Sequence, residues 1–230
     1  MLVLFDIDAT LLKTSRAGLH AMADAARDLV GREFRFEGVT FAGGLDPIII
    51  TQILNMNAHD ADAEFLNRFR AIYRERLRER LAVPGTGTLL AGIPALLSAL
   101  ESCTEITLGL LTGNFRETGE DKLRACGLDP ARFLIGAFGD EAHPERPHRR
   151  DLVPVAMQRY RELRGRTLAS DQVVVIGDTP HDVDCATHHG CRALAVATGL
   201  HDLATLQAAG ADRGVGGRSG AEKIVAWIRG

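Results

Sequence analysis

The sequence predicts an α/β protein: a Rossmann-like parallel sheet with helices on both faces, plus a small all-helical unit inserted after the first strand. Three observations carry this expectation. The chain opens on a short β-branched and aromatic run, Leu2 to Ile7, of the kind that forms a buried strand. From about Thr88 onward, apolar runs alternate with segments of helical spacing, the pattern of strands joined by helical crossovers. Between these two regions, residues 15–81 carry helical spacing and no strong strand.

Along that insertion, AGLHAMADAARDLVG places apolar residues at helical spacing and stops at Gly31, a C-cap residue. A polar loop, FRFEGVTFAGGLDP, follows, with one weak strand expected near Phe34 to Phe36. Residues 48–54 and a long Arg-rich stretch from 63 to 80 are the next helices, and Val83-Pro84-Gly85-Thr86-Gly87 is a turn cluster that reads as a hinge. The expected division is therefore a core domain of residues 1–14 and 84–230 around a cap domain of residues 15–83.

In the core, a helix is expected over 89–100, then the strand ITLGLLTGN and a helix over 116–126. FLIGAFGD, a polar loop and a helix over 152–163 follow. QVVVIGD, a further helix and CRALAVATG complete the alternation, and a helix over 220–228 closes the chain.

Bulk properties exclude several function classes. The 230 residues are 46% hydrophobic and 25% charged, with a net charge of −3, so nothing global points to nucleic acid or a membrane surface. No apolar run approaches the roughly 18 residues of a bilayer span. The start, MLVLFDIDAT, lacks the basic region of a signal peptide. Cys103, Cys126, Cys185 and Cys191 show no CxxC spacing, which suits reduced thiols in a cytoplasmic protein. The Arg and Glu residues of FLNRFRAIYRERLRERL fall at short helical spacings and read as a salt-bridged face.

In open parallel sheets, ligands bind beyond the carboxyl ends of the strands. Three strand ends here are polar: Asp6-Ile7-Asp8-Ala9-Thr10, Thr112-Gly113-Asn114, and Gly177-Asp178-Thr179-Pro180-His181-Asp182. Unpaired buried carboxylates are costly. Asp6, Asp8, Asp178 and Asp182 at one rim therefore ask for a hard divalent cation, and Mg²⁺ suits a partial carboxylate site that also takes phosphate. One carboxylate can then act as a nucleophile, while Thr112, Asn114 and loop N–H groups hold phosphate oxygens.

These three clusters, with an Arg-bearing loop between the second and the third, resemble in their order the four motifs of the haloacid dehalogenase-like superfamily, whose first motif is DxDx[TV] and whose fourth is GDxxxD. The resemblance covers about Met1 to Lys13 and Pro84 to Gly230. It implies Asp6 as nucleophile, Asp8 as general acid/base, and Thr112 with Gly113 and Asn114 as phosphoryl ligands. It also implies a Mg²⁺ held by Asp178, the Asp6 carboxylate and the Asp8 backbone carbonyl, with Asp182 acting through water or orienting other groups. The third motif departs from the Lys-Pro of many relatives: the loop reads DEAHPERPHRRDLVPVAM. Arg149 fits that role best by its distance from the helix that follows, with Arg146 and Arg150 as alternatives. Ala9 stands where many relatives have Gly, and activity is expected to survive the extra methyl.

The helical unit resembles the cap of phosphoglycolate-phosphatase-like members, with Gly43, Gly44 and Asp46 as candidate substrate contacts. The implied function is Mg²⁺-dependent hydrolysis of a small phosphate monoester by a monomer or homodimer. A sugar phosphomutase, or a non-catalytic binding protein on the same scaffold, is the alternative. A phosphonatase would need a cap lysine, and the lysines are Lys13, Lys122 and Lys223.

Overall fold

A computed structural model describes residues 1–60, 62–216 and 220–230. The chain begins with β1 (Leu2–Phe5) and β2 (Leu12–Lys13), followed by the helices α1 (Ala17–Val30), α2 (Asp46–Met56) and α3 (Ala63–Leu81). β3 (Thr88–Leu89), α4 (Ile93–Glu101), β4 (Thr107–Leu111), α5 (Arg116–Ala125) and β5 (Ile135–Ala137) come next. The rest is α6 (Leu152–Arg164), β6 (Val173–Gly177), α7 (Pro180–His188), β7 (Arg192–Val196), α8 (Leu203–Ala208), β8 (Arg213–Val215) and α9 (Ala221–Arg229). No described helix is long and apolar enough to cross a membrane.

Among the described residues, six strands form one parallel sheet in the order β5-β4-β1-β6-β7-β8. β1 lies at its centre: Leu2 is in register with Thr107 on one side and Val173 on the other, and Phe5 with Leu110 and Ile176. Its residues alternate between two apolar layers, as strand geometry requires. Val3 and Phe5 join Leu96, Leu97, Leu123 and Ile228 on one face, and Leu2 and Leu4 join Leu152, Val153, Tyr160 and Val183 on the other. Both faces are thus covered, and burying each large side chain stabilises the fold by about 1.5–3 kcal/mol. Strand order switches at β1, with β4 on one side and β6 on the other. The three strand ends that carry polar clusters are therefore neighbours at one crevice.

The short β2 and β3 pair antiparallel, Leu12 with Leu89 and Lys13 with Thr88, where the chain leaves and re-enters the core. Between them α1, α2 and α3 enclose their own cluster, with Ala21, Met22, Ile53, Phe69, Tyr73 and Leu77 buried. Phe115 of the core packs into it. The Arg-rich α3 is salt-bridged on two sides. Arg76 and Arg80 reach Asp28 and Asp24 of α1, while Arg70 and Arg74 reach Glu117 and Asp121 of α5.

Three expectations about elements need correcting. Residues 89–91 are not helical: Thr88 and Leu89 pair as β3, and α4 starts only after Gly92, whose φ of 86° breaks the run ahead of the helix-starting Ile93-Pro94. Phe34 to Phe36 form no strand. The Asn57 side chain takes the place of a strand partner, accepting from the Arg35 N–H at 2.8 Å and donating to its carbonyl at 3.0 Å. At the far edge, α8 and the three-residue β8 extend the fold beyond the expected strands. All four cysteines are free thiols, Cys185 and Cys191 buried and the other two partly so.

Candidate active site

β1 ends at Phe5, but the Asp6 N–H still donates to Ile176 O at 2.9 Å, so Asp6 leaves the sheet at a fixed place. The chain then turns sharply: Leu11 N–H donates back to Ile7 O at 2.9 Å, and Ala9 N–H to Leu12 O at 2.8 Å. Ala9 takes a φ of 57°, the left-handed region, where an Ala costs about 1–2 kcal/mol. This explains why glycine suits the position. Because the strand stops before the motif, Asp6 and Asp8 do not share partners. Asp6 turns toward Arg149, and Asp8 toward α5.

Asp6 and Asp182 are bridged by one guanidinium. Arg149 Nη2 donates to Asp6 Oδ1 at 2.8 Å and to Asp182 Oδ1 at 2.5 Å, with all three residues buried. Arg149 opens a short helical turn that His148 and Asp151 cap, Asp151 Oδ2 accepting from the N–H groups of His143 and His148. Of the alternatives, Arg150 instead pairs with Asp184, and Arg146 is exposed. The other oxygen of Asp182 is also spent, accepting from Thr179 N–H at 3.0 Å and Thr179 Oγ1 at 2.6 Å at the start of α7. Asp182 thus holds Arg149 in place, and a Cβ on Gly177 would overlap its carboxylate.

Asp178 is poorly matched. Among the described residues its carboxylate accepts one long hydrogen bond, from Thr10 Oγ1 at 3.4 Å, and a side chain on Gly199 would collide with it. Carboxylate oxygens of Asp6, Asp178 and Asp182 lie within 4.8 Å of one another. Burial pushes Asp6 up to about 7 against the pull of Arg149, and burial together with the charges of Asp6 and Asp182 pushes Asp178 up to about 8. The site is therefore short of positive charge, and its donors are all hard oxygens. These residues fit a divalent cation, which Asp6 and Asp178 would hold.

Asp8 has a separate cation. Lys122 Nζ, on α5, lies 2.5 Å from Asp8 Oδ2 and 2.6 Å from Asn114 Oδ1. Asn114 Nδ2 donates to the same Asp8 oxygen at 2.9 Å and to Thr112 Oγ1 at 2.8 Å. The surrounding protein would raise the Asp8 carboxyl, but the Lys122 ammonium outweighs it and holds the group below the usual carboxylate range. Sequence reasoning passed over Lys122. The available signal was its helical spacing from Phe115, Thr118 and Gly119, which puts it on the inward stripe of α5.

The loop before α2 docks on this rim. Asp46 N–H donates to Gly113 O at 2.7 Å, and a Cβ on Gly113 would overlap the Gly44 carbonyl. Gly43, at a φ of 71°, packs against Thr179 and His181. The Asp46 carboxylate is buried and turned to the core, accepting from Phe115 N–H at 3.1 Å and Thr118 Oγ1 at 3.4 Å. Gly43, Gly44 and Asp46 are thus the contacts by which the helical unit meets the strand ends.

Asp46 makes stability pH-dependent. Burial pushes its carboxyl up to about 6 despite nearby Lys122 and the Phe115 N–H, with Asp8 adding repulsion. The folded state therefore favours the protonated group. Its stabilising effect is present below about pH 4 and is lost as pH rises through about 6, a swing of roughly 3 kcal/mol. Asp46→Asn should remove this dependence. Denaturant unfolding at pH 4.5 and 7.5 checks it: the variant gains on the wild type between the two, and a constant difference would contradict the assignment.

A family model described as haloacid dehalogenase-like hydrolase matches residues 3–196, which run from β1 through β7 and include the helical insertion. The chain belongs to this family. As a haloacid dehalogenase-like hydrolase it is 28% identical over 211 residues to "Probable phosphatase IndB" of Dickeya dadantii (strain 3937), covering 90% of this chain and 86% of that one. Its fold is similar to that of CbbY from Rhodobacter sphaeroides, solved in complex with phosphate, with a TM-score of 0.72 at 23% identity over 93% of this chain and 92% of that one. A predicted phosphoglycolate phosphatase from Haemophilus somnus 129pt matches with a TM-score of 0.69 at 17% identity, over 98% of this chain and 96% of that one. At these identities the two structural matches speak to the hydrolase's fold.

Proposed function

We propose that this hydrolase is a Mg²⁺-dependent phosphatase that cleaves a small phosphate monoester through an aspartyl phosphate on Asp6. The observation that carries the reading is the separation of two carboxylates at one strand end. Asp6 is paired with Arg149, and Asp8 with Lys122 and Asn114. Two carboxylates in different settings can take different roles. An Asp6 oxygen attacks phosphorus while the bond to the leaving oxygen breaks, and Asp8, protonated once the incoming phosphate charge offsets that of Lys122, gives that oxygen its proton. Asp8 then takes a proton from water as the water attacks phosphorus, releasing phosphate and restoring Asp6. Arg149 steadies the nucleophile and the phosphoryl charge. Thr112 Oγ1 and the N–H groups of Gly113 and Asn114 are the phosphoryl ligands in this reading. Mg²⁺, when bound, neutralises the crowded carboxylates and the phosphoryl oxygens.

In the same reading residues 15–83 act as a cap over a core of residues 1–14 and 84–230, and substrate selection falls to the loop around Gly43 and Gly44. The partner is a phosphorylated metabolite; phosphoglycolate is the first to try, since a structural neighbour carries that name. Four free thiols suit a cytoplasmic setting. The test is hydrolysis of p-nitrophenyl phosphate and a panel of phosphorylated metabolites. Turnover with Mg²⁺ that EDTA abolishes and added Mg²⁺ restores is expected. Turnover untouched by EDTA would contradict the metal requirement, and no turnover on any ester would contradict the function.

A further inference from the structure

We propose that Lys122 is a positioning residue for Asp8, anchoring one oxygen of this carboxylate so that the other faces the leaving group; the proposal rests on the phosphatase reading above. Both side-chain hydrogen bonds to Asp8 converge on Oδ2, from Lys122 Nζ at 2.5 Å and Asn114 Nδ2 at 2.9 Å. Among the described residues no side chain donates to Oδ1. The Asp8 side chain is 44% exposed, whereas that of Lys122 is 5% exposed. The ammonium therefore lies behind the carboxylate and reaches the site only through it.

Lys122, Asp8 and Asn114 close a ring, because Lys122 also donates to Asn114 Oδ1 at 2.6 Å. Asn114 in turn donates to Thr112 Oγ1, so the orientation of Asp8 is tied to the end of β4. A partly buried ion pair is a weak source of stability compared with apolar packing, but it holds direction well. The chemistry suits an ammonium. A compact charge with three donors fits between two oxygens, where a planar guanidinium would need a wider slot. The chain has 27 Lys and Arg residues, and three of them are lysines. One of those three stands behind Asp8.

Leaving-group chemistry separates this role from general support of the fold. An alkyl phosphate needs its leaving oxygen protonated, whereas p-nitrophenolate departs with little help. The full chain is assayed with Mg²⁺ on p-nitrophenyl phosphate and on the best alkyl phosphate of the metabolite panel, as wild type, Lys122→Met and Lys122→Gln. For Lys122→Met, kcat/KM on the alkyl ester should fall on the order of 10²-fold. On the aryl ester it should fall by less than about tenfold, since assisted proton transfer matters less there. Lys122→Gln, which keeps one donor to Asp8, should fall between, and Asp8→Asn/Lys122→Met should be no worse than Asp8→Asn alone. Equal losses on both esters, an additive double variant, or failure of both Lys122 variants to fold would overturn the positioning role while leaving the phosphatase reading standing. A wild type that hydrolyses neither ester overturns both.

Discussion

Asp6→Asn is expected to abolish turnover, by at least roughly 10³-fold, without cost to stability. Asparagine has the shape of aspartate but no nucleophilic oxygen, so the acyl phosphate cannot form. The second half of the expectation follows from crowding. Asp6 is buried beside Asp178 and Asp182, and burial pushes its carboxyl up to about 7 even against Arg149. Removing that charge at pH 8 in EDTA relieves repulsion, while Arg149 keeps Asp182 as its partner. The variant should therefore unfold at the same temperature as the wild type or higher. Activity within tenfold of wild type would remove Asp6 from the nucleophile's place, and a large fall in stability would mean that its charge is structurally required.

Arg149→Met should have the opposite signature, with both activity and stability lost. Among the described residues the guanidinium is the one cation that bridges two buried carboxylates at this rim. Breaking a buried pair by removing one partner costs about 3–5 kcal/mol, because the remaining charges are uncompensated. A further on the order of 10²-fold in kcat is expected from the lost stabilisation of phosphoryl charge. Because Asp6 and Asp178 fit a divalent cation, millimolar Mg²⁺ should return part of the stability, by mass action on the folded state. Thermal unfolding with EDTA and with Mg²⁺ measures this. A loss below about 1 kcal/mol, the range of an exposed pair, would contradict the assignment.

How far these features could be read in the sequence depended on whether their signal was local. LFDIDATLL carries its own message, since an apolar run ending in carboxylates must meet a cation at its exit, and the strand order then brings Asp6, Thr112 and Asp178 together. Arg149 could be reached through its spacing to the following helix, although choosing it over Arg150 needed the structure, where Asp184 occupies Arg150. The direction of a side chain was harder to read. Asp46 stands in a glycine loop beside the site, but its carboxylate serves the Phe115 N–H and Thr118, a contact between residues distant in sequence. Lys122 lies in a helix rich in charge, and only the docking of α5 turns it inward to Asp8. The short β3 and β8 strands were hidden for a related reason. Two or three residues carry too little periodicity to register, and both exist because a neighbouring strand offers an edge.

The central claim is a covalent aspartyl phosphate on Asp6, and chemical trapping tests it most directly. Protein quenched during turnover of p-nitrophenyl phosphate is treated with borohydride, which reduces an acyl phosphate to the alcohol, and the peptide spanning β1 is analysed by mass spectrometry. The expected result is homoserine at position 6, dependent on substrate and Mg²⁺, with Asp8 intact. Sustained turnover that leaves Asp6 unreduced, or reduction at another carboxylate, would contradict the account.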